Sequence, residues 1–302
     1  MRTYKVGTRG SKLALWQAEH VIGLLQGAHP GLDFEVVSIQ TSGDKRQDVP
    51  LQEIGDKSLF LKEIEEALAS GAIDLAVHSL KDVPSLLEAP FSLPAILERD
   101  DPRDVVLTAS GGGLSSLPKG ARVGTSSLRR EAQLRAIRPD LRLAPIRGNV
   151  DTRLRKLSDG EYDAIVLAAA GLNRLGMAIP SHAFLDPSLC LPAPGQAAIC
   201  VETLADHSEL LAPLDHQPTR HAVEAERAFA AGLDAGCRVP VAAYACEADD
   251  DAIQLQTLVA SPDGIQVIRL SGEGADPLEL GHRLALQALE RGAAELLRTA
   301  CP

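Results

Sequence analysis

The sequence predicts an α/β chain in which two α/β domains face a cleft and a small α+β domain follows at the C-terminal end. Three observations point there. From residue 3 to about residue 77 the runs read strand, helix, strand, helix, strand, the alternation that builds a parallel sheet. After Ala121 short phrases from that stretch return in the same order. Lys5-Val6-Gly7-Thr8 is echoed by Arg122-Val123-Gly124-Thr125, His29-Pro30-Gly31-Leu32 by Arg138-Pro139-Asp140-Leu141, and Gly71-Ala72-Ile73-Asp74 by Gly160-Glu161-Tyr162-Asp163. Ordered echoes point to a duplicated architecture. Past residue 217 the pattern changes to a helix, three alternating strand runs and a last helix, which is a different kind of layer. At 302 residues the chain also exceeds one comfortable core.

Taken in order, residues 3–8 read as a strand. Ser11 caps a helix running to about Gln26, with Ala14, Ala18, Val21, Ile22 and Leu25 on one face and Trp16 packing beside them. Arg9 and Ser11 sit at a strand-to-helix turn, where free N–H groups and the helix dipole favour an anion; the competing reading of Arg9 is a solvent-facing turn residue. Residues 34–40 form a second strand. Residues 41–57 lack a sustained period and contain Gly43, Pro50 and Gly55, so they read as a mobile loop or lid with Lys57 and Phe60 at its far end. A helix over 59–69 follows.

Residues 72–84, AIDLAVHSLKDVP, organise the rest. The apolar run through Ile73, Leu75, Ala76 and Val77 is a buried strand, and it ends in His78, Ser79, Lys81 and Asp82 before Pro84 stops regular structure. Ligands of open α/β sheets bind outside the carboxyl ends of strands, which makes Lys81 and Asp82 candidates for the chemistry. Alternatively, Asp82 initiates a turn and Lys81 is solvated. Residues 84–94 are proline-rich, and 98–104, ERDDPRD, read as a crossover between domains. Glycines 111–113 lack the Lys-Ser/Thr of a phosphate-binding P-loop and read as a surface loop. Residues 180–194 are a return connection, with Gln196 just past it. A helix from Gln217 to near Gly232 carries Ala222, Ala225, Phe229 and Ala230. The loop Asp234-Ala235-Gly236-Cys237-Arg238 leads to strand patterns at 239–246, 253–260 and 266–270, and a final helix follows Pro277.

Net charge is -11, which argues against general nucleic-acid or anionic-membrane binding. Its distribution says more: residues 122–156 hold ten basic side chains against three acidic, +7, and the remainder carries -18. Thr125-Ser126-Ser127 and Arg129-Arg130 begin a helix, Arg147 ends a strand, and Arg153 lies one turn into the next helix. Fork-shaped donors at such transitions converge on carboxylate or phosphate. Arg135, Arg138, Arg142 and Arg155 read instead as a salt-bridged helix face. The five cysteines, Cys190, Cys200, Cys237, Cys246 and Cys301, show no C-x-x-C spacing, so neither a disulfide framework nor a zinc site is expected. Cys237 stands out because Arg238 beside it can lower a thiol pKa. No run approaches the roughly 20 apolar residues that span a bilayer. The first strand pattern leaves no room for a signal peptide, so a reducing cytoplasm is the expected compartment.

Six motifs, VGTRGSKLALWQA (from Val6), AVHSLKDVP (from Ala76), VGTSSLRR (from Val123), RGNVDTRLRKL (from Arg147), AAAGLNRLG (from Ala168) and AGCRVP (from Ala235), together resemble the porphobilinogen deaminase family, also called hydroxymethylbilane synthases. The resemblance spans nearly the whole chain. It implies two periplasmic-binding-protein-like domains, the first from residues 1–99 completed by 197–216 and the second from 100–196, with 217–302 carrying an attachment cysteine. It implies a dipyrromethane cofactor held by a thioether to Cys237, on which four porphobilinogens are joined head to tail with loss of ammonia before hydroxymethylbilane is released. Asp82 matches the family's catalytic aspartate. Arg9, Lys81, Arg129, Arg130, Arg147, Arg153 and Arg174 match positions that hold cofactor or substrate carboxylates; Ser11, Ser79, Thr125, Ser126, Ser127 and Gln196 accompany them, and Lys57 and Phe60 belong to the lid. No metal, nucleic acid or membrane is implied, and a monomer is expected. Glu53 stands where the family often has Lys, Ala197 and Ala235 stand where Gly is usual, and Arg238 is a less usual neighbour of the cysteine. Two other readings fit the bare residues: a non-catalytic anion-binding protein on the same scaffold, and thiol chemistry at Cys237, which lacks a resolving cysteine at useful spacing.

Overall fold

The computed structural model describes residues 2–45, 61–204, 207–234, 239–248 and 252–300. The first stretch runs β1 (Thr3–Arg9), α1 (Lys12–Ala28), β2 (Asp33–Ile39), α2 (Ser42–Lys45), α3 (Lys62–Ala69), β3 (Leu75–Ser79) and β4 (Ser92–Ile96). The second runs β5 (Asp104–Thr108), β6 (Arg122–Gly124), α4 (Leu128–Ile137), β7 (Arg142–Ala144), α5 (Val150–Ser158), β8 (Ala164–Ala168) and α6 (Ala169–Arg174). Then come β9 (Ile199–Thr203), α7 (Ser208–Leu211), α8 (Gln217–Gly232), β10 (Val241–Glu247), β11 (Ile253–Ala260), β12 (Val267–Gly274), α9 (Pro277–Glu290) and α10 (Ala293–Ala300).

The echoed phrases mark equivalent places. β1 pairs in parallel with β2 and β3, and β6 pairs in parallel with β7 and β8. Asp74 N–H donates to Lys5 O at 2.8 Å while the Asp74 carboxylate accepts from Lys5 N at 2.9 Å; Asp163 makes the same two bonds to Arg122, at 2.9 and 2.7 Å. The paired glycines have a packing reason. A Cβ on Gly7 would stand 2.3 Å from Ile73 Cδ1, and one on Gly124 would stand 3.0 Å from Tyr162 Cδ1. In each unit the residue before the echoed aspartate lies across the central strand.

The sheets run β2-β1-β3-β9-β4 and β7-β6-β8-β5. β9 lies antiparallel beside β3, and β5 antiparallel beside β8. The strand entered from the first crossover therefore completes the second sheet, and the strand that follows the return connection enters the first. Both faces of the first sheet are covered: α1 packs Ala18, Val21 and Leu25 on Val6, Leu75, Val77 and Val201, and α3 packs Ile64 and Leu68 on Ile73 and Ala76. The second sheet has the same arrangement, with Leu134 of α4 on one face and Leu157 of α5 on the other. The last sheet, β10-β11-β12, is antiparallel. One of its faces packs on α8 and α9 around Phe229, Leu255 and Leu284; the other sets Ala242, Leu258 and Ala260 against Ala132 of α4.

Several boundaries differ from the sequence reading. Pro94, which closes the stretch read as proline-rich, lies within β4; its strand occupies the sheet edge, where a residue without an N–H is tolerated. β3 begins at Leu75, two residues later than the apolar run from Ile73 suggests. β12 continues to Gly274, beyond its apolar half, because full antiparallel pairing with β11 extends to Ile253↔Gly274. A further helix, α10, follows α9.

Candidate active site

β3 is buried along its length and ends in a single 3₁₀ turn, Leu80–Asp82. Leu80 is fully buried and its N–H donates to Ala198 O at 3.0 Å, so the turn is pinned at its apolar residue and Lys81 and Asp82 emerge from the strand's exit. They line a cavity of about 800 Å³. Ser126, Ser127, Arg129, Arg130, Arg153 and Gln196 join them from the second unit and the return crossover. The rest of the lining includes residues 83–89, Phe91, Arg227, Ala230, Ala231 and Asp234 at and just past the end of α8, and Val239 and Val241.

Arg129 and Arg130 occupy the first turn of α4, whose N-cap Ser127 accepts from Arg130 N at 3.4 Å. Both guanidiniums are buried, and both reach Asp104: Arg129 Nη2 at 2.8 Å and Arg130 Nη2 at 2.6 Å. Burial alone would raise the Asp104 pKa; the two guanidinium charges reverse that and hold it well below the carboxylate range. Arg129 also donates to Leu191 O at 2.6 Å and Arg130 to Val166 O at 3.1 Å. Gln196 ties the group together. Its amide donates to Pro102 O at 2.7 Å and to Asp104 Oδ1 at 2.9 Å, and its Oε1 accepts from Arg129 Nη2 at 3.4 Å and Lys81 Nζ at 3.5 Å. Burial of the Lys81 ammonium, reinforced by the Arg130 charge, lowers its pKa to about 8. Arg153, one turn into α5, donates to Gly148 O at 2.8 Å. Its burial, with Arg130 and Arg147 nearby, lowers its pKa to about 10. Carboxylates of Glu65, Asp82, Glu88 and Asp234 also line the cavity; the clustered forks of Arg129, Arg130 and Arg153 with Lys81 are the part of it suited to carboxylate groups of a ligand.

The other expected residues lie outside the cavity lining. Ser11 caps α1, accepting from Ala14 N at 3.2 Å, and Ser79 bonds the Gln17 side chain of that helix at 2.9 Å. Thr125 accepts from Ser127 N at 3.2 Å. Arg9 ends β1, and Arg147 precedes the Asn149 N-cap of α5. Arg174 is buried, donates to Ala197 O and approaches Asp100 at 3.7 Å, joining α6 to both crossovers. Arg135 and Arg138 pair with Glu131 and Asp140, at 2.7 and 2.8 Å. Cys237, the lid residues Lys57 and Phe60, and Glu53, Ala235 and Arg238 lie outside the described residues. The residues that bracket the Cys237 loop, Asp234 and Val239, both line the cavity. Burial pushes the thiols of Cys190 and Cys200 up to about 12 and raises that of Cys246, so none of these three is a ready nucleophile.

Sequence reasoning missed Asp104 and Arg227. Asp104 hides in a run of charges that reads as solvated crossover; the signal is its position directly before Val105-Val106-Leu107, an apolar strand that draws its first residue inward. Arg227 donates to Val83 O, Pro84 O and Ser85 O at 3.1, 2.6 and 3.2 Å and so fixes one cavity wall. Nothing in its helical spacing distinguishes it from a surface arginine.

Two α/β units of one topology thus exchange strands through paired crossovers beside a cavity whose lining includes Lys81, Arg129, Arg130 and Arg153. The family model "Porphobilinogen deaminase, dipyromethane cofactor binding domain" matches residues 4–212, and "Porphobilinogen deaminase, C-terminal domain" matches residues 221–290. The chain is 54% identical to a porphobilinogen deaminase of Nitratidesulfovibrio vulgaris, covering 98% of this chain and 96% of that one. It is 52% identical to one of Stenotrophomonas maltophilia, covering 98% and 99%. Among solved structures it is similar to the methionine-binding protein MetQ, with TM-score 0.45 and 14% identity over 70% of this chain and 88% of that one. The chain belongs to the porphobilinogen deaminase family. No helix among the described residues is long and apolar enough to cross a membrane.

Proposed function

We propose that this chain is a working porphobilinogen deaminase that joins four porphobilinogens head to tail, with loss of ammonia, on a dipyrromethane attached to Cys237 by a thioether, and releases hydroxymethylbilane. The observation that carries the reading is the cavity itself, where the carboxylate of Asp82 shares one space with Lys81, Arg129, Arg130 and Arg153. The cations suit the acetate and propionate groups that each pyrrole brings. When bound, the dipyrromethane supplies a primer with a nucleophilic pyrrole carbon. Its carboxylates fit the donor set of Lys81, Arg129, Arg130 and Arg153, with Ser126, Ser127 and Gln196 as neutral partners. Arg9, Arg147 and Arg174 are proposed for substrate or cofactor carboxylates at other stages, together with Ser11, Ser79 and Thr125, and Lys57 and Phe60 for the lid. The chain can reach from Asp234 and Val239, which line the cavity, to a cysteine only three and two residues away, which supports Cys237 as the attachment point.

Asp82 does the chemistry in this reading. Cleavage of the C–N bond of the porphobilinogen aminomethyl group expels ammonia and leaves positive charge on that substrate's pyrrole, as an azafulvene. A carboxylate held on a rigid strand end stabilises the charge and, after the new C–C bond forms, accepts the proton lost from the attacked pyrrole carbon. The divisions at residues 99, 196 and 216 are proposed as domain boundaries; placement of β9 within the first sheet supports them. The enzyme is read as cytoplasmic and monomeric.

Asp82→Asn tests the mechanism. It removes the charge and the proton acceptor without changing shape. Covalent pyrrole should remain on the protein while turnover falls by about 100-fold or more. Near-normal turnover would remove Asp82 from the chemistry and favour a role as a turn residue only.

A further inference from the structure

Among the described residues the Asp82 carboxylate makes no hydrogen bond, so its place in the cavity is set by the backbone that carries it. That backbone is held on both sides of the turn. Before Asp82, Leu80 N–H donates to Ala198 O at 3.0 Å; after it, Val83 N–H returns to Leu80 O at 3.1 Å and closes the turn. Residues 83–85 belong to no strand or helix, and Pro84 has no N–H to offer. Their carbonyls are taken by one side chain instead. Arg227 donates from Nη1 to Val83 O at 3.1 Å and from Nη2 to Pro84 O at 2.6 Å and Ser85 O at 3.2 Å. One turn earlier on the same face of α8, buried Val223 packs in one cluster with Leu80 and Val83. The helix ends at Gly232, and Asp234 just past it lines the cavity ahead of Cys237.

We propose that Arg227 is a positioning residue for Asp82: its guanidinium clamps the three carbonyls that follow the Asp82 turn and so fixes the catalytic carboxylate relative to the helix that leads to the attachment cysteine. The proposal rests on the reading that Asp82 does the chemistry. A planar fork suits this task because its donors diverge in fixed directions and reach three carbonyls at once. A lysine keeps the charge but is a compact group on a flexible stem, and a glutamine brings one short amide. Without the clamp the turn is pinned at Leu80 alone, and Asp82 gains freedom on its C-terminal side. A misplacement of about 1 Å is enough to cost about 100-fold in a step that depends on geometry. The arginines proposed for substrate carboxylates lie on other elements, so the loss falls on kcat rather than on KM.

The test is steady-state kinetics on protein carrying its cofactor, with rates expressed per loaded molecule, for Arg227→Gln, Asp82→Asn and the double variant. Arg227→Gln is expected to lower kcat about tenfold or more, with the KM for porphobilinogen within about twofold of wild type. In the Asp82→Asn background the same change should cost no more than about twofold further, since the carboxylate it positions is gone. Wild-type kcat and KM with a lowered melting temperature would show a role confined to stability and overturn the proposal. A raised KM at unchanged kcat would also overturn it, by making Arg227 a carboxylate-binding residue, and so would a full second loss on top of Asp82→Asn, which would place its action elsewhere. If Asp82→Asn alone turns over near normally, it is the reading of Asp82 that has failed, and the proposal falls with it. Should Arg227→Gln not fold or not load, Arg227→Lys, which keeps the charge but not the fork, decides. A kcat lowered about threefold or more at unchanged KM supports positioning, and a wild-type kcat overturns it.

Discussion

Ala197 carries φ of 75°, in the left-handed region, on the return crossover between Gln196 and β9. Its carbonyl accepts from Arg174 and, at 3.3 Å, from Asp100 N–H, so the backbone cannot relax without releasing both. The family's usual glycine would adopt this conformation without a Cβ penalty. Ala197→Gly should therefore stabilise the protein by about 0.5–1 kcal/mol, part of the relief being offset by the greater freedom of glycine in the unfolded chain. Chemical denaturation measures this directly, and a loss of stability would mean that the Cβ makes a contact worth more than the strain. Lys81 gives a pH-dependent prediction. Its folded pKa of about 8 lies below the ordinary 10.5, so the unfolded chain binds more protons between those values and stability rises with pH across that window. In a cofactor-free Cys237→Ser background, Lys81→Met should be more stable than its parent at pH 7. The advantage should shrink steadily from pH 8 to 10.5. A constant difference would show that the Lys81 ammonium is well solvated.

Gly7 and Gly124 show how much of each element the sequence disclosed. The echoed phrases located β1, β3, β6 and β8 and their order, because a glycine facing a large side chain and an aspartate bonding back to the first strand are local and therefore legible. Gly7→Ala should cost about 1–3 kcal/mol by overpacking against buried Ile73, and part should return when Ile73→Val removes the Cδ1 methyl that stands 2.3 Å from the added Cβ. Gly124→Ala, with 3.0 Å to Tyr162, should cost less. Unfolding midpoints of the three variants and the double variant settle the order; equal costs without rescue would contradict this packing account. β4 was not legible, since Pro94 argues against a strand wherever its edge position is unknown. The arginines of α4 were legible as cations at a helix start, but not as the buried partners of Asp104. The ion pair joins residues 25 or more positions apart, and no local pattern records it.

At the scale of the molecule, the same limit appears in the exchange of β5 and β9. Neither strand was read from composition or period, and only the resemblance placed residues 197–216 with the first domain, because each strand enters its sheet by pairing antiparallel with a strand distant in sequence. The exchange has a functional consequence. Both crossovers meet at Asp104, Gln196 and Ala197, so any movement of one unit against the other passes through the residues that order the cavity's cations. The third sheet braces this junction from outside, through Ala242, Leu258 and Ala260 against α4, and α8 delivers Asp234 to the rim three residues before Cys237. The Asp82 carboxylate, the α4 arginines and Asp234, three residues before Cys237, thus come from three separately built layers and line one cavity. The most direct test of that convergence is the intact mass of the purified protein under denaturing conditions, followed by peptide mapping and repeated after addition of porphobilinogen. The account predicts an excess of two porphobilinogens less two ammonias, localised to Cys237. A mass that stays unmodified even after porphobilinogen is added, or an adduct on another residue, would contradict it.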